Sequence, residues 1–378
     1  MANDSPFELR LSSAASWVRC AAYPMMNRTP QAVALEETGD VTVREEGTAM
    51  HEAAECMMHG EPIEVGAIAS NGIALTDEML DAVMVYVDLL ESYGGGWHIE
   101  ETMGAPSIHP KCGGTCDAFQ LHERPADGVH IRVIDFKGGY RFVKVFPNWQ
   151  LFGYLAAILD TYPFFNLFPD TVVEFMIVQP RAYGKKQEPH RMTLRDAQPY
   201  IDSLRMAAHI AMGDRAHAIA GPQCDDCNAR AACSVCHDAG MRAIEVAGEP
   251  DIHDLQDAAL DYEMMRLEEA KQVLEARLTG LQAQAMQSIR RGALLPHYAL
   301  ESGAGRLNWI DEVRVLALGD LMGVDLRKPT QAITPTQAMQ RLPKELFDGF
   351  AERKRGELKL VRFDGNAAVK AFSHLKGK

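Results

Sequence analysis

Two stretches of the sequence, GTCDAFQL at 114–121 and HIRVIDFK at 130–137, each set one aspartate in an apolar run. Both have the composition of strands, and RPADG between them has the residues of a turn. Asp117 and Asp135 are equidistant from residue 126, so an antiparallel hairpin closed there sets them opposite each other or one residue out of register. Opposed strand positions hold Cβ atoms about 5 Å apart. Carboxylates that close raise each other's pKa, and a divalent cation between them removes the conflict. Oxygen donors suit Mg²⁺ or Mn²⁺. Lys137 follows Asp135 by two residues and shares its face of the strand. Acid-x-Lys triplets recur at Glu269/Lys271, Glu352/Lys354 and Glu357/Lys359, in polar stretches that read as solvated pairs. Only Asp135/Lys137 ends an apolar strand facing a second aspartate; its other reading is a structural salt bridge.

His51, in GTAMHEAAE, lies on an early helix, and Glu52 and Glu55 beside it read as an exposed helical face. Gln150 and Tyr154, at i and i+4, share a helix face just after the lysine strand. Alone, neither feature carries an assignment. The run CDDCNARAACSVC supplies Cys224, Cys227, Cys233 and Cys236, a spacing that points to metal. Zinc is the direct reading, yet only five residues part the two CxxC pairs, which makes tetrahedral closure on all four awkward. Cys56, Cys112 and Cys116 read as unliganded core or loop residues.

The elements that must position these groups follow from periodicity. Helices are expected over 9–20, with Ser12 or Ser13 as cap, over 45–60, over 76–96 with Thr76 as cap, over 148–160 and over 198–213. Residues 171–180 read as a buried strand closed by Pro180, and 224–236 as a cysteine-rich loop. GEPD at 248–251 reads as a linker to a long helix over roughly 254–291, where Leu260, Met264, Leu267, Leu274, Leu278 and Leu281, interrupted by Lys271, make a stripe that reads as core before coiled coil. HYALESGAGRLNWI, 297–310, resembles a β-hairpin, and short helices follow. The expected organisation is α/β, with a mixed central sheet flanked by helices in residues 1–245 and a mainly helical region in 250–378.

The chain has 378 residues, 47% apolar and 24% charged, so it reads as globular. No apolar run approaches the length of a membrane span, and the first residues show no basic-then-apolar leader, so the cytoplasm is the expected compartment. The net charge of −14 argues against nonspecific nucleic-acid binding. Much of the excess is local: residues 41–100 hold twelve acids and one base, while the balance turns basic around Arg181, Lys185, Lys186 and Arg191.

In order, Gly47-x-x-x-His51, Gly114-Thr-x-Asp117, Asp135-x-Lys137 and Gln150-x-x-x-Tyr154 resemble the motif series of the RecB-like branch of the PD-(D/E)XK nucleases, over roughly residues 10–240. The resemblance implies a restriction-endonuclease-like core. His51, Asp117 and Asp135 would hold the metal, Lys137 would help activate water, and Gln150 and Tyr154 would contact DNA. Hydrolysis of the phosphodiester would leave a 5′-phosphate and a 3′-hydroxyl. RecB-like nucleases of the AddB type also carry one cysteine before the core and C-x2-C-x5-C after it, which Cys20, Cys224, Cys227 and Cys233 match. That implies a [4Fe–4S] cluster, with Cys236 spare and zinc the alternative; proline usually follows the first cysteine, where this chain has Ala21 and Ala22. The implied function is a metal-dependent exodeoxyribonuclease of the phage recombination type, similar to lambda exonuclease, acting in the host cytoplasm. Its implied partners are linear DNA ends and a single-strand annealing protein, with a homo-oligomer as a further expectation. The rivals are a CRISPR-adaptation-type trimming nuclease, usually a shorter chain, and an inactive DNA-binding or scaffold protein.

Overall fold

The computed structural model describes residues 6–29, 42–123, 127–163, 167–182, 188–247, 257–326 and 351–362. The chain divides into two compact units, Met1–Leu281 and Gln282–Lys378. The first contains a six-stranded mixed sheet. Its strands are β1 (Leu9–Arg10), β2 (Trp97–Gly104), β3 (Cys112–Leu121), β4 (Ile131–Phe136), β5 (Val172–Val178) and β6 (His190–Thr193). They run in the order β1-β3-β4-β5-β6, with β2 also paired to β3. The β1–β3 and β4–β5 pairs are parallel; β2–β3, β3–β4 and β5–β6 are antiparallel.

Two cores form around this sheet. Helices α5 (Trp149–Thr161) and α6 (Leu194–Ala211) supply Phe152, Leu155 and Leu204 to one, where they meet Phe119, Val133 and Phe175 of the strands. Helices α3 (Thr42–Met58) and α4 (Asp77–Ser92) supply Met50, Val83 and Tyr86 to the other, against Ile134 and Phe136. Alternation along β4 accounts for this: Val133 enters the first core and Ile134 the second. The expected Thr76 cap forms, its hydroxyl accepting from the Met79 amide. Asn148 caps α5 through the amides of Gln150 and Leu151.

Other expectations change. The helix read over 9–20 is shortened to α1 (Ala14–Arg19), followed by the short α2 (Tyr23–Met26), because Leu9 and Leu11 are fully buried and Leu9–Arg10 joins the sheet beside Cys112–Gly113. Ser13 makes no capping bond; its hydroxyl donates to the Arg10 carbonyl. The cysteine-rich loop forms 3-10 turns at Pro222–Cys224 and Asn228–Ala231, then opens α7 (Ser234–Ala247). Helix α8 (Asp257–Arg290) is long, as its composition indicated, but its leucine stripe is not a core seam. Met264, Leu267, Leu274, Leu278 and Leu281 are exposed, while Val273 and Ala276 are buried. Small residues let the adjoining face come closer: a Cβ at Gly280 would stand 3.0 Å from the Ala231 amide nitrogen. In the second unit, residues 298–309 form one strand, β7 (Tyr298–Trp309), rather than a hairpin closed on itself. It pairs antiparallel with β8 (Ala351–Arg362), with α9 (Glu312–Met322) following β7. The expected turn at 124–126, Lys185, Lys186 and the GEPD linker lie outside the described residues. No helix among the described residues is long and apolar enough to cross a membrane.

Close approach at the β1–β3 edge makes Gly113 a sharp test of the packing. A Cβ there would lie 2.6 Å from both the Met103 carbonyl oxygen and the Phe7 ring, whereas one at Gly47 in α3 meets nothing within 4 Å. Gly113→Ala is expected to cost about 1–3 kcal/mol in urea unfolding. Gly47→Ala is expected to be neutral or to add up to about 1 kcal/mol, from the helix preference for alanine.

Candidate metal centre

Strands β3 and β4 bring the two aspartates together by their register. Ala118 pairs with Ile134 and Phe119 with Val133, so Asp117 and Asp135 occupy the next facing step, as the midpoint at residue 126 requires. The Phe136 amide closes that step by donating to Asp117 Oδ2 at 2.7 Å. Asp135 is fully buried and Asp117 is 6% exposed. Helix α3 brings His51 against them, with Nδ1 3.8 Å from Asp117 Oδ1 and 2.9 Å from Glu100 Oε1.

Glu100 is the site residue the sequence reading missed. It lies in β2, whose pairs Ile99↔Ala118 and Glu101↔Cys116 place it across from Asp117. Its φ is +47°, the one positive value among non-glycine residues of the described chain. Such a backbone costs about 1–3 kcal/mol and persists where surroundings impose it. A signal was present: WHIEETMG has strand alternation, and the Pro106–Pro110 segment before β3 is a turn that folds Glu100 back beside Asp117.

Lys137 Nζ donates to Asp135 Oδ1 at 3.0 Å and to Gln150 Oε1 at 3.2 Å. The Gln150 amide nitrogen donates to Asp135 Oδ1 at 2.8 Å and to the Tyr154 hydroxyl at 2.9 Å. The Gln150/Tyr154 face therefore turns inward. Tyr154 is 2% exposed, which replaces the DNA contact expected of it with a role in holding Gln150 on the lysine and the acid. The basic surface expected around Arg181 and Arg191 is neutralised at both residues. Arg181 is buried and pairs with Glu46 and Glu78, and Arg191 pairs with Glu174.

The electrostatics follow from this crowding. Burial raises the Asp135 carboxyl to about 6 against the opposing pull of Lys137, and the charge of Asp117 adds to the rise. Asp117 is raised as well, by burial, with His51 opposing. Burial works against the His51 cation, but Asp117 and the Glu100 hydrogen bond outweigh it and lift the imidazole to about 9. Lys137 is likewise held above its ordinary value by Asp135 and Asp117 in spite of burial.

These residues fit a hard divalent cation. His51, Glu100 and Asp117 each offer a ligand atom, all within 4.8 Å of one another. Asp135 Oδ2 is buried without an aligned hydrogen-bond donor, although Lys137 Nζ stands 2.9 Å away. Carboxylate oxygens with one imidazole nitrogen are a donor set for Mg²⁺ or Mn²⁺.

A second group gathers the ends of the unit. Cys20, Cys224, Cys227, Cys233 and Cys236 line one pocket with Tyr23, Met26 and Ile219. Asn27, near Cys20, donates to Cys227 Sγ at 3.5 Å and accepts from the Asn228 amide at 2.9 Å. A hydrogen bond from Cys236 brings the Cys224 thiol down to about 6, whereas burial raises Cys20 and takes Cys227 up to about 11. Cys112 and Cys116 lie in the sheet core, and Cys56 is half-buried on α3.

The chain belongs to the family described as "Protein of unknown function (DUF2800)", whose model matches residues 8–367. No curated protein matches it.

A cation entering this site must displace the proton on His51. Protons and the ion compete, so with His51 at about 9, binding at neutral pH releases close to one proton per ion and tightens as pH rises towards 9. Calorimetry of Mn²⁺ binding in buffers of differing ionisation enthalpy checks this. An affinity flat between about pH 6.5 and 8.5 contradicts it.

Proposed function

We propose that the protein is a divalent-metal-dependent deoxyribonuclease with a RecB-like PD-(D/E)XK core, working on DNA ends. The observation that carries this reading is the meeting of Asp117, Asp135, Lys137 and His51 at one end of the β3–β4 pair, with the acids in facing register. The mixed sheet with helices on both faces agrees with the core that the motif series implies.

His51, Glu100, Asp117 and Asp135 would hold the ion, Glu100 being an addition to the implied set. When bound, Mg²⁺ or Mn²⁺ supplies a lowered water pKa and charge stabilisation at the phosphate. The chain's own groups do the rest. Lys137 is kept cationic by Asp135, so it cannot serve as the resting base; its ammonium orients the attacking water and balances negative charge on the phosphate oxygens. Gln150 fixes that ammonium with its carbonyl oxygen while its amide nitrogen holds Asp135. His51 would hold the ion through a nitrogen lone pair, which requires a neutral ring. The substrate is linear DNA and the expected partner a single-strand annealing protein, both resting on the motif resemblance.

The cysteine pocket is proposed to hold a [4Fe–4S] cluster through Cys20, Cys224, Cys227 and Cys233. Four thiolates suit a cluster in which each meets its own iron, and the two CxxC pairs only five residues apart make tetrahedral closure on zinc awkward. Cys236 supports Cys224 by hydrogen bonding instead of ligating.

Digestion of end-labelled linear duplex and single-stranded DNA with Mg²⁺ or Mn²⁺ tests the activity. Asp135→Asn and Lys137→Met are expected to lower turnover by roughly 10²–10³-fold, and Glu100→Gln by roughly 10–100-fold, in folded protein. Retention of DNA binding without cleavage in the wild type moves the assignment to the binding-protein rival. Iron and acid-labile sulfide in anaerobically purified protein test the cluster. Cys20→Ser and Cys224→Ser are expected to lose both, Cys236→Ser to retain them, and stoichiometric zinc in the wild type contradicts the cluster.

A further inference from the structure

Helix α2 and the residue that ends it grip the cysteine-rich loop at its Asp226–Asn228 turn. The Tyr23 hydroxyl donates to the Asp226 carbonyl oxygen at 3.1 Å. The Asn27 side-chain nitrogen donates to Cys227 Sγ at 3.5 Å, and its side-chain oxygen accepts from the Asn228 amide at 2.9 Å. The same nitrogen donates to the Tyr23 carbonyl oxygen at 2.9 Å. These partners fix which end of the carboxamide is which. The Asn228 amide can only donate, so it faces the oxygen; the Tyr23 carbonyl can only accept, so it faces the nitrogen. The second N–H of that nitrogen is thereby aimed at the sulfur. Asn27 lies in the segment that carries Cys20, 200 residues before Cys227 in the chain.

A neutral thiol sulfur is a weak acceptor, so a donor held this firmly gains little from it. A thiolate bound to iron keeps negative charge on sulfur, and hydrogen bonds to the sulfurs are among the features that set a cluster's reduction potential. Cys224 Sγ receives a similar donor, the Gly221 backbone amide, at 3.5 Å. A backbone donor survives substitution, whereas the Asn27 donor can be removed. We infer that Asn27 is a positioning residue of the cysteine centre: its carboxamide holds the Cys227 side chain through an N–H···S hydrogen bond and stabilises the negative charge that the ligated sulfur carries. One added electron increases that charge, so the bond favours the reduced cluster and keeps its potential higher than it would be without the donor. This inference rests on the cluster reading proposed above.

The test is redox titration of the full chain, purified anaerobically, with the reduced cluster read by electron paramagnetic resonance, for wild type, Asn27→Ala and Tyr23→Phe. Asn27→Ala removes the donor to the sulfur. Tyr23→Phe loosens the same turn by deleting the bond to Asp226 and leaves that donor in place. In Asn27→Ala the equilibrium between oxidised and reduced cluster is expected to move about three- to tenfold against reduction, the effect of one hydrogen bond, which for one electron is a fall of about 30–60 mV. Tyr23→Phe is expected to stay within about twofold of the wild type. Equal shifts in the two variants overturn the inference by assigning the effect to the turn, and no shift in Asn27→Ala overturns it by leaving Asn27 a clamp without influence on the sulfur. If Asn27→Ala loses its iron, Asn27→Asp decides, since it keeps an oxygen for the Asn228 amide and lacks the donor. There a fall at least as large supports the inference, and a potential at or above that of the wild type, or loss of iron in this variant too, overturns it. A wild type that holds zinc or no metal overturns the cluster reading together with this inference, and that result appears before any substitution.

Discussion

Burial of two carboxylates on adjacent strand ends is the constraint around which the site is arranged. Asp135 is fully enclosed and Asp117 nearly so; after burial, the charge of Asp117 raises the affinity of Asp135 for a proton, and that of Glu100 raises the affinity of Asp117. Removing one ionised carboxylate from water is costly, and placing a second beside it adds repulsion. Compensation comes from separate elements: the Phe136 amide on β4, Lys137 just beyond that strand, Gln150 on α5 and His51 on α3. Each must be held in place by the packing of its own element, which is why the acids lie between two cores and not at the rim of one.

Two buried ion networks brace this arrangement. On the lysine side, the Arg181 guanidinium donates to Glu46 on α3 at 2.8 Å and to the Gly138 carbonyl at 3.1 Å, and it sits 4.5 Å from the Tyr140 ring centroid. It thereby ties the helix carrying His51 to the turn that follows Lys137. Near the start of β4, Arg132 bonds Glu174 of β5 and Gln120 of β3 beneath the Tyr93 ring. Buried pairs of this kind add little net stability over apolar packing, but losing one partner is severe. Their effect is to fix register. In β3 and β4 a slip of one residue would turn Asp117 and Asp135 away from each other.

The facing of Asp117 and Asp135 was legible because period-two alternation and a short turn leave few ways to pair two strands. The Thr76 cap and the α5 helix were legible for the same local reasons. Glu100 was legible only in part: WHIEETMG carries a strand signal, but β2 is half-buried and its backbone departs from strand geometry at that residue. The inward aim of Tyr154 was not legible, because an i,i+4 pair defines a helix face without saying what covers it. The α8 stripe misled for a related reason: leucines at seven-residue spacing describe a seam, while the contact that forms uses Val273, Ala276 and Gly280, where small side chains allow closer approach.

Three departures from ordinary folding rules gather around the acids of the first unit: a positive φ at Glu100, a fully buried Asp135 carboxyl raised to about 6, and a histidine held protonated near neutral pH. Individually each costs stability, and a sequence selected for folding alone would remove them by simple exchanges such as Asp to Asn. In the proposed reading, a divalent cation held by His51, Glu100, Asp117 and Asp135 would offset both the strained backbone at Glu100 and the repulsion between the buried acids. That one ligand relieves two independent costs is a stronger argument for a cation site than the motif spacing, because the spacing fixes only where the acids stand, whereas the costs say what the fold has left unsatisfied.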